Sequence, residues 1–85
     1  MIQFEYTIQD ELGIHARPAG LLVNTAKGLN SRVTIAKGEK TADADKLFAV
    51  MGLGIKQNDT VTVTVSGGDE TSAAQAMQDF LQKNL

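Results

Sequence analysis

The run Thr60–Ser66, TVTVTVS, alternates without a break between valine and a small hydroxylated residue. Successive side chains of a strand leave opposite faces, so Val61, Val63 and Val65 point one way and Thr60, Thr62, Thr64 and Ser66 the other. One face of that strand is dry and the other wet. A strand buried on both sides would read as a continuous apolar run, so the alternation predicts an antiparallel sheet with one open face. Two other segments follow the same rule. Ile2–Ile8, IQFEYTI, sends Ile2, Phe4, Tyr6 and Ile8 inward and Gln3, Glu5 and Thr7 outward, and Arg32–Lys37, RVTIAK, sends Val33 and Ile35 inward. A fourth, shorter strand is expected at Thr41–Ala44, TADA, after a turn at Gly38–Lys40.

Three helical stretches lie between and after the strands. ARPAGLLVNTAK (Ala16–Lys27) stops at Gly28, KLFAVMG begins at Lys46 and stops at Gly52 or Gly54, and ETSAAQAMQDFLQKNL begins at Glu70 with Asp69 placed to cap it. In the last, Ala73, Ala74, Met77, Phe80 and Leu81 form one stripe that should close the core. The order is strand, helix, strand, strand, helix, strand, helix. This is an α+β layout, resembling a split βαβ plan with an added terminal helix.

The chain has 85 residues, enough for one domain over residues 1–85 and no more. It has no cysteine, hence no disulfide framework or thiolate metal site, and the composition fits a folded protein of the cytoplasm. No targeting leader is visible at the start, and no run is long enough to span a bilayer. A formal net charge of −2 argues against a nucleic-acid partner, which needs a basic surface to displace counterions. No metal or cofactor is expected. Asp43 and Asp45 lack further oxygen ligands at a recognisable spacing, and they suit the start of the second helix as capping and solvated charge.

The only histidine and the only proline fall together in GIHARPAG (Gly13–Gly20). Pro18 fits only the first turn of a helix, where its missing N–H costs nothing, so His15 stands at the helix start. Free N–H groups and the positive end of the helix dipole face whatever His15 carries, and they favour an anion there. The same field favours an uncharged imidazole, whose nitrogen can attack phosphorus. Arg17 adds a planar cationic fork suited to phosphoryl oxygens. With no glycine-rich nucleotide loop in the sequence, the chain is expected to receive and give phosphoryl groups rather than to make them.

Docking surfaces are read from helix faces. Ala19, Leu22, Val23 and Ala26 form the core stripe of the first helix, leaving Leu21 with Gly20, Asn24 and Lys27 on the Arg17 side. In the second helix Leu47, Phe48, Val50, Met51 and Leu53 spread over too wide an arc for one core face. Val50 and Leu53 serve the core, and the pattern fits equally a helix buried on most sides and one presenting Leu47, Phe48 and Met51 to a partner. Lys46 stands where it could join Arg17 and Lys27 in a positive rim for an acidic partner.

GIHARPAG, then DKLFAVMGLGI (Asp45–Ile55), then VTVSGGDE (Val63–Glu70), together resemble the HPr family, the histidine-containing phosphocarriers of the bacterial sugar phosphotransferase system. The resemblance covers essentially the whole chain. It implies an open-faced β-sandwich of a four-stranded antiparallel sheet covered on one face by three helices, in the order βαββαβα. It implies that enzyme I, charged by phosphoenolpyruvate, phosphorylates His15 at Nδ1, that Arg17 balances the phosphoryl charge, and that the group passes to IIA domains of sugar permeases. It further implies a partner surface of Ala16, Gly20, Leu21, Asn24, Lys27, Lys46, Leu47, Phe48, Met51 and Gly54, on a protein expected to be a monomer. Lys46 departs from the family pattern: many members have there a serine that a kinase modifies, so this chain should lack that switch. Leu12 departs too, where sugar-type members often have a small polar residue. The motif LGIHARP also resembles a nitrogen-related branch, and a regulatory binding module on the same fold is the alternative in which His15 would be dispensable.

Overall fold

A computed structural model describes residues 1–85. Seven elements follow the expected order: β1 (Ile2–Thr7), α1 (Ala16–Lys27), β2 (Arg32–Lys37), β3 (Lys40–Asp43), α2 (Leu47–Met51), β4 (Thr60–Ser66) and α3 (Glu70–Asn84). The strands form one antiparallel sheet in the order β1-β4-β2-β3, with TVTVTVS at its interior. Register follows the alternation. Phe4, Val63, Ile35 and Ala42 stand opposite one another across all four strands and face the helices. The next row out, Gln3, Thr64, Thr34 and Asp43, faces water, where Gln3 Nε2 donates to Thr64 Oγ1 at 3.1 Å.

All three helices lie on the valine side. Ala19, Leu22 and Ala26 of α1, Val50 of α2 and Ala73, Ala74, Met77 and Leu81 of α3 share one core with Val33, Ile35, Val61, Val63 and Val65. This is the open-faced arrangement that the alternation requires: one sheet face supplies the apolar surface that folding removes from water, and the other stays solvated. No helix is long and apolar enough to cross a membrane.

Two elements differ from expectation. β3 begins at Lys40 and ends at Asp43, one residue earlier than TADA, because Gly38 and Glu39 alone make the turn and bring Lys40 opposite Lys37. Gly38 supplies the positive φ, +60°, that such a two-residue turn needs. At the start of α2, neither Asp43 nor Asp45 caps the helix. Lys46 occupies the cap position with extended backbone and no side-chain hydrogen bond, while the Asp43 carboxylate pairs with Arg32 at 3.2 Å. The opposite charge of Arg32 outcompetes the helix end for that carboxylate.

Two acids are tied to partners in a way that makes stability depend on pH. The Lys37 ammonium, 2.8 Å away, together with the Lys56 N–H holds the Asp59 carboxyl below its ordinary range. The Met1 amine, at 2.7 Å, and the Gly67 N–H do the same for Glu70. A carboxylate with a lowered folded-state pKa stabilises fully above its unfolded value, and that contribution is lost as pH falls through the folded one. The urea midpoint should therefore begin to fall as pH drops below about 4. In Asp59→Asn the midpoint should be lower at neutral pH and fall less steeply in acid. An unchanged slope between the two proteins would show that Asp59 carries none of this dependence.

Candidate functional site

His15 is the N-cap of α1. Its backbone is extended, its side chain caps nothing, and its carbonyl accepts the first intrahelical bond, from Ala19 N at 3.0 Å. Pro18 is the third helical residue and has no N–H to offer, as its placement in a first turn requires. The N–H groups of Ala16 and Arg17 donate to nothing in the chain. Two unpaired donors thus open directly beside the imidazole, at the helix end that favours negative charge.

The loop before His15 is held differently. Ile8 N donates to Asp59 O, Gln9 N and Asp10 N to Leu85 O, Leu12 N to Asp10 Oδ1, Gly13 N to Asp10 O, and Ile14 N to Ile55 O at 3.1 Å. The pattern is abrupt. Hydrogen bonding is nearly complete up to Ile14 and stops at the histidine, so a fixed frame presents an unsatisfied helix start. Gly13 makes the close approach possible. Its φ is +66°, and a Cβ there would meet Ile55 O at 2.4 Å and Lys56 Cα at 2.6 Å.

His15 and Arg17 line one open depression with Asp10, Pro18, Leu21, Lys83 and Asn84. Its volume is about 240 Å³, below the ~300 Å³ at which small-molecule sites begin, and it is wide to solvent. Such a shape suits a group delivered by a docked protein. Arg17 and Lys83 have no carboxylate within ion-pair distance, and His15 is half-buried. Local pattern in the sequence marks neither Lys83 nor Asn84. The bonds from Gln9 and Asp10 to Leu85 carry the end of α3 to the histidine, a contact across most of the chain that no short motif encodes.

The expected docking residues differ in exposure. The exposed ones on α1 are Ala16, Leu21, Asn24 and Lys27, with Leu21 43% accessible, while Gly20 is half-buried. On α2, Phe48 is 83% and Met51 38% exposed, so the helix is not buried on most sides. Leu47 is different: it packs half-buried against the core. Lys46 lines a cleft with Ala26 at the far end of α1, whereas Ile55, just past α2, reaches Ile14. The segment from Lys46, near Ala26, to Ile55, bonded to Ile14, therefore runs back along α1 toward the histidine loop. Besides Met1, the large apolar side chains left exposed are Leu12, Leu21, Phe48 and Met51.

Comparison with known families and structures agrees with this geometry. The family model described as "PTS HPr component phosphorylation site" matches residues 2–83. A histidine-containing phosphocarrier protein of Mycoplasma is similar at 32% identity, with a TM-score of 0.92 over 96% of this chain and 93% of that one. An HPr from Thermoanaerobacter tengcongensis is similar at 32% identity and a TM-score of 0.92, over 98% of this chain and 93% of its own. The phosphocarrier protein HPr of Bacillus anthracis matches at 30% identity and a TM-score of 0.88, covering 95% and 96%. A dimeric T. tengcongensis HPr is also similar, with a TM-score of 0.77 at 33% identity over 92% of this chain and 90% of that one.

Proposed function

The chain belongs to the HPr family of phosphocarriers of the phosphotransferase system, and from that membership we propose that His15 is the residue that carries the phosphoryl group. The observation behind this is the meeting, in one shallow site, of the lone imidazole, two unpaired N–H groups and two unpaired cations. In the transfer the Nδ1 lone pair of a neutral His15 attacks phosphorus held on a donor histidine of enzyme I. A P–N bond forms on His15, which keeps its Nε2–H, as the donor's P–N bond breaks and the donor ring, protonated on its other nitrogen, leaves as a neutral imidazole. Ala16 N–H, Arg17 N–H and the Arg17 guanidinium then face the phosphoryl oxygens and offset their charge. The reverse step, onto a IIA domain of a sugar permease, uses the same contacts.

The family is one of phosphocarriers, and by that membership the chain is proposed to work as a carrier rather than an enzyme, in the cytoplasm. His15, Arg17 and the docking residues all lie on one chain, so a monomer suffices. A sedimentation measurement at working concentration tests that against the dimer solved for the T. tengcongensis relative. Lys46 is exposed and offers no hydroxyl, so a kinase that modifies serine has no acceptor at this position.

Enzyme I and acceptors are proposed to dock on Leu21, Phe48 and Met51, with Ala16, Gly20, Asn24, Lys27, Lys46 and Gly54 around them and Leu47 shared between surface and core. Phe48→Ser removes an aromatic ring that is almost wholly in water, so stability should stay within about 0.5 kcal/mol. A central aromatic contact costs about 2 kcal/mol or more when truncated, so the KM for phosphorylation by enzyme I should rise about thirtyfold. An unchanged KM would remove Phe48 from the docking surface. The test of the function as a whole is incubation with phosphoenolpyruvate and enzyme I: an acid-labile phosphoryl group on His15 supports it, and an unlabelled chain points to a binding module instead.

A further inference from the structure

Lys37 breaks the pattern of its own strand. It shares a face with Val33 and Ile35, where alternation calls for an apolar side chain, and it stands directly opposite a like charge, Lys40. Facing like charges are unfavourable unless one is neutralised. The Lys37 ammonium is neutralised: it lies 2.8 Å from Asp59 Oδ2 and donates to Gly54 O at 2.9 Å. Asp59 is in turn engaged by Lys56 N at 2.8 Å, and Asp59 N donates to Lys56 O at 3.0 Å. One side chain thus closes the whole segment between α2 and β4.

That segment is the support of the histidine loop. Consecutive carbonyls point to opposite clients: Gly54 O receives the Lys37 ammonium and Ile55 O receives the N–H of Ile14, the residue before His15. Gly13 rests on the same Ile55 and Lys56 backbone. Asn58 N donates to Ile8 O and Gln57 Nε2 to Gln9 O, so the two loops are laced along their length. Gly54 also closes the turn just after the proposed docking helix, its N–H donating to Met51 O at 3.2 Å.

We propose that Lys37, through Gly54 and Asp59, is a positioning residue for phosphoryl transfer that fixes the backbone on which the His15 loop and the docking surface both rest. This deepens the phosphocarrier reading and rests on it. Lys37 does not line the depression at His15. A partly exposed ion pair contributes only slightly to global stability, so most of the effect belongs to the local frame.

The test compares the wild-type protein with Lys37→Met, which keeps the apolar stem, and Lys37→Arg, which can restore the cation. Two readouts are taken: amide hydrogen exchange at Ile14 and at Val63 in the sheet centre, and kcat/KM for phosphorylation by enzyme I and phosphoenolpyruvate. In Lys37→Met the Ile14 amide should exchange about tenfold faster while Val63 changes by less than about twofold. The kcat/KM should fall about three- to tenfold, and Lys37→Arg should recover most of both. Ile14 exchange that is unchanged, or that rises only as much as Val63, overturns the proposal. So does loosened Ile14 with undiminished transfer. Failure of the wild-type protein to take a phosphoryl group at His15 is a separate result: it removes the phosphocarrier reading and the positioning role with it, while the exchange data still report whether Lys37 holds the loop.

Discussion

His15→Ala should yield a folded protein that accepts no phosphoryl group from enzyme I and phosphoenolpyruvate, a loss of at least about 10³-fold in rate. No other residue can replace the proposed nucleophile in kind, because His15 is the only histidine. Arg17, Lys83 and the free amides can bind a phosphoryl group but have no lone pair suited to hold it covalently at neutral pH. The fold should not suffer. The imidazole makes no side-chain hydrogen bond and is only half-buried, so stability should stay within about 1 kcal/mol of the wild type. The pair of measurements is mass after incubation with the donor system and the urea midpoint. Phosphoryl label retained in the variant would move the site to another residue. Gross unfolding would show that His15 is part of the fold's support.

Gly13→Ala should be the most damaging single methyl group near the site. A left-handed backbone costs a residue with a Cβ about 1–2 kcal/mol. The new carbon must also displace backbone atoms of Ile55 and Lys56 that lie only 2.4 and 2.6 Å from its position. Backbone cannot swing aside as a flexible side chain can. The total expected loss is about 2–4 kcal/mol, with the Ile14 to Ile55 hydrogen bond broken and transfer slowed in the fraction that remains folded. Gly38→Ala is the control: its φ is +60° but nothing lies within 4 Å of the added carbon, so only about 1 kcal/mol should be lost there. Equal losses at the two positions would mean that the contact between Gly13 and the Ile55 segment is not tight in solution.

Much of the architecture could be read locally because it is written with period two. The valines of TVTVTVS, the inward Ile2, Phe4 and Tyr6, and Val33 with Ile35 each take the face that alternation assigns. Ala16–Lys27 forms a helix over the expected limits, since Pro18 marks its first turn and Gly28 follows its last residue. Asp69 caps α3 as placed, accepting from Ser72 N. Misplaced features had competing partners that pattern does not see. Arg32 takes Asp43 away from α2, and a two-residue turn shifts β3 by one position.

The layout of the candidate site was legible in part for the same reason. His15, Arg17 and Pro18 are neighbours in sequence, and a helix start is a local event. Lys83 and Asn84 arrive through Leu85, and the loop at Ile55 reaches Ile14 by main-chain hydrogen bonds that leave no side-chain signature. Lys37 did leave one: a cation at an inward position, facing another lysine. Exposure at α2 was undecidable from spacing because Leu47, Phe48 and Met51 are all apolar; packing separates them, with Leu47 against the core and Phe48 in water.

The most direct test follows the imidazole itself. Nitrogen-15 and phosphorus-31 NMR of the protein, recorded before and after charging with phosphoenolpyruvate and enzyme I, reads the ring nitrogens and the Ala16 and Arg17 amides together. The account predicts a single phosphorus coupled to Nδ1 of His15, with both amide resonances displaced as they take up the phosphoryl oxygens, and return of all signals once an acceptor IIA domain is added. A charged sample with no phosphorus on that ring, or one whose Ala16 and Arg17 amides stay where they were, would contradict it.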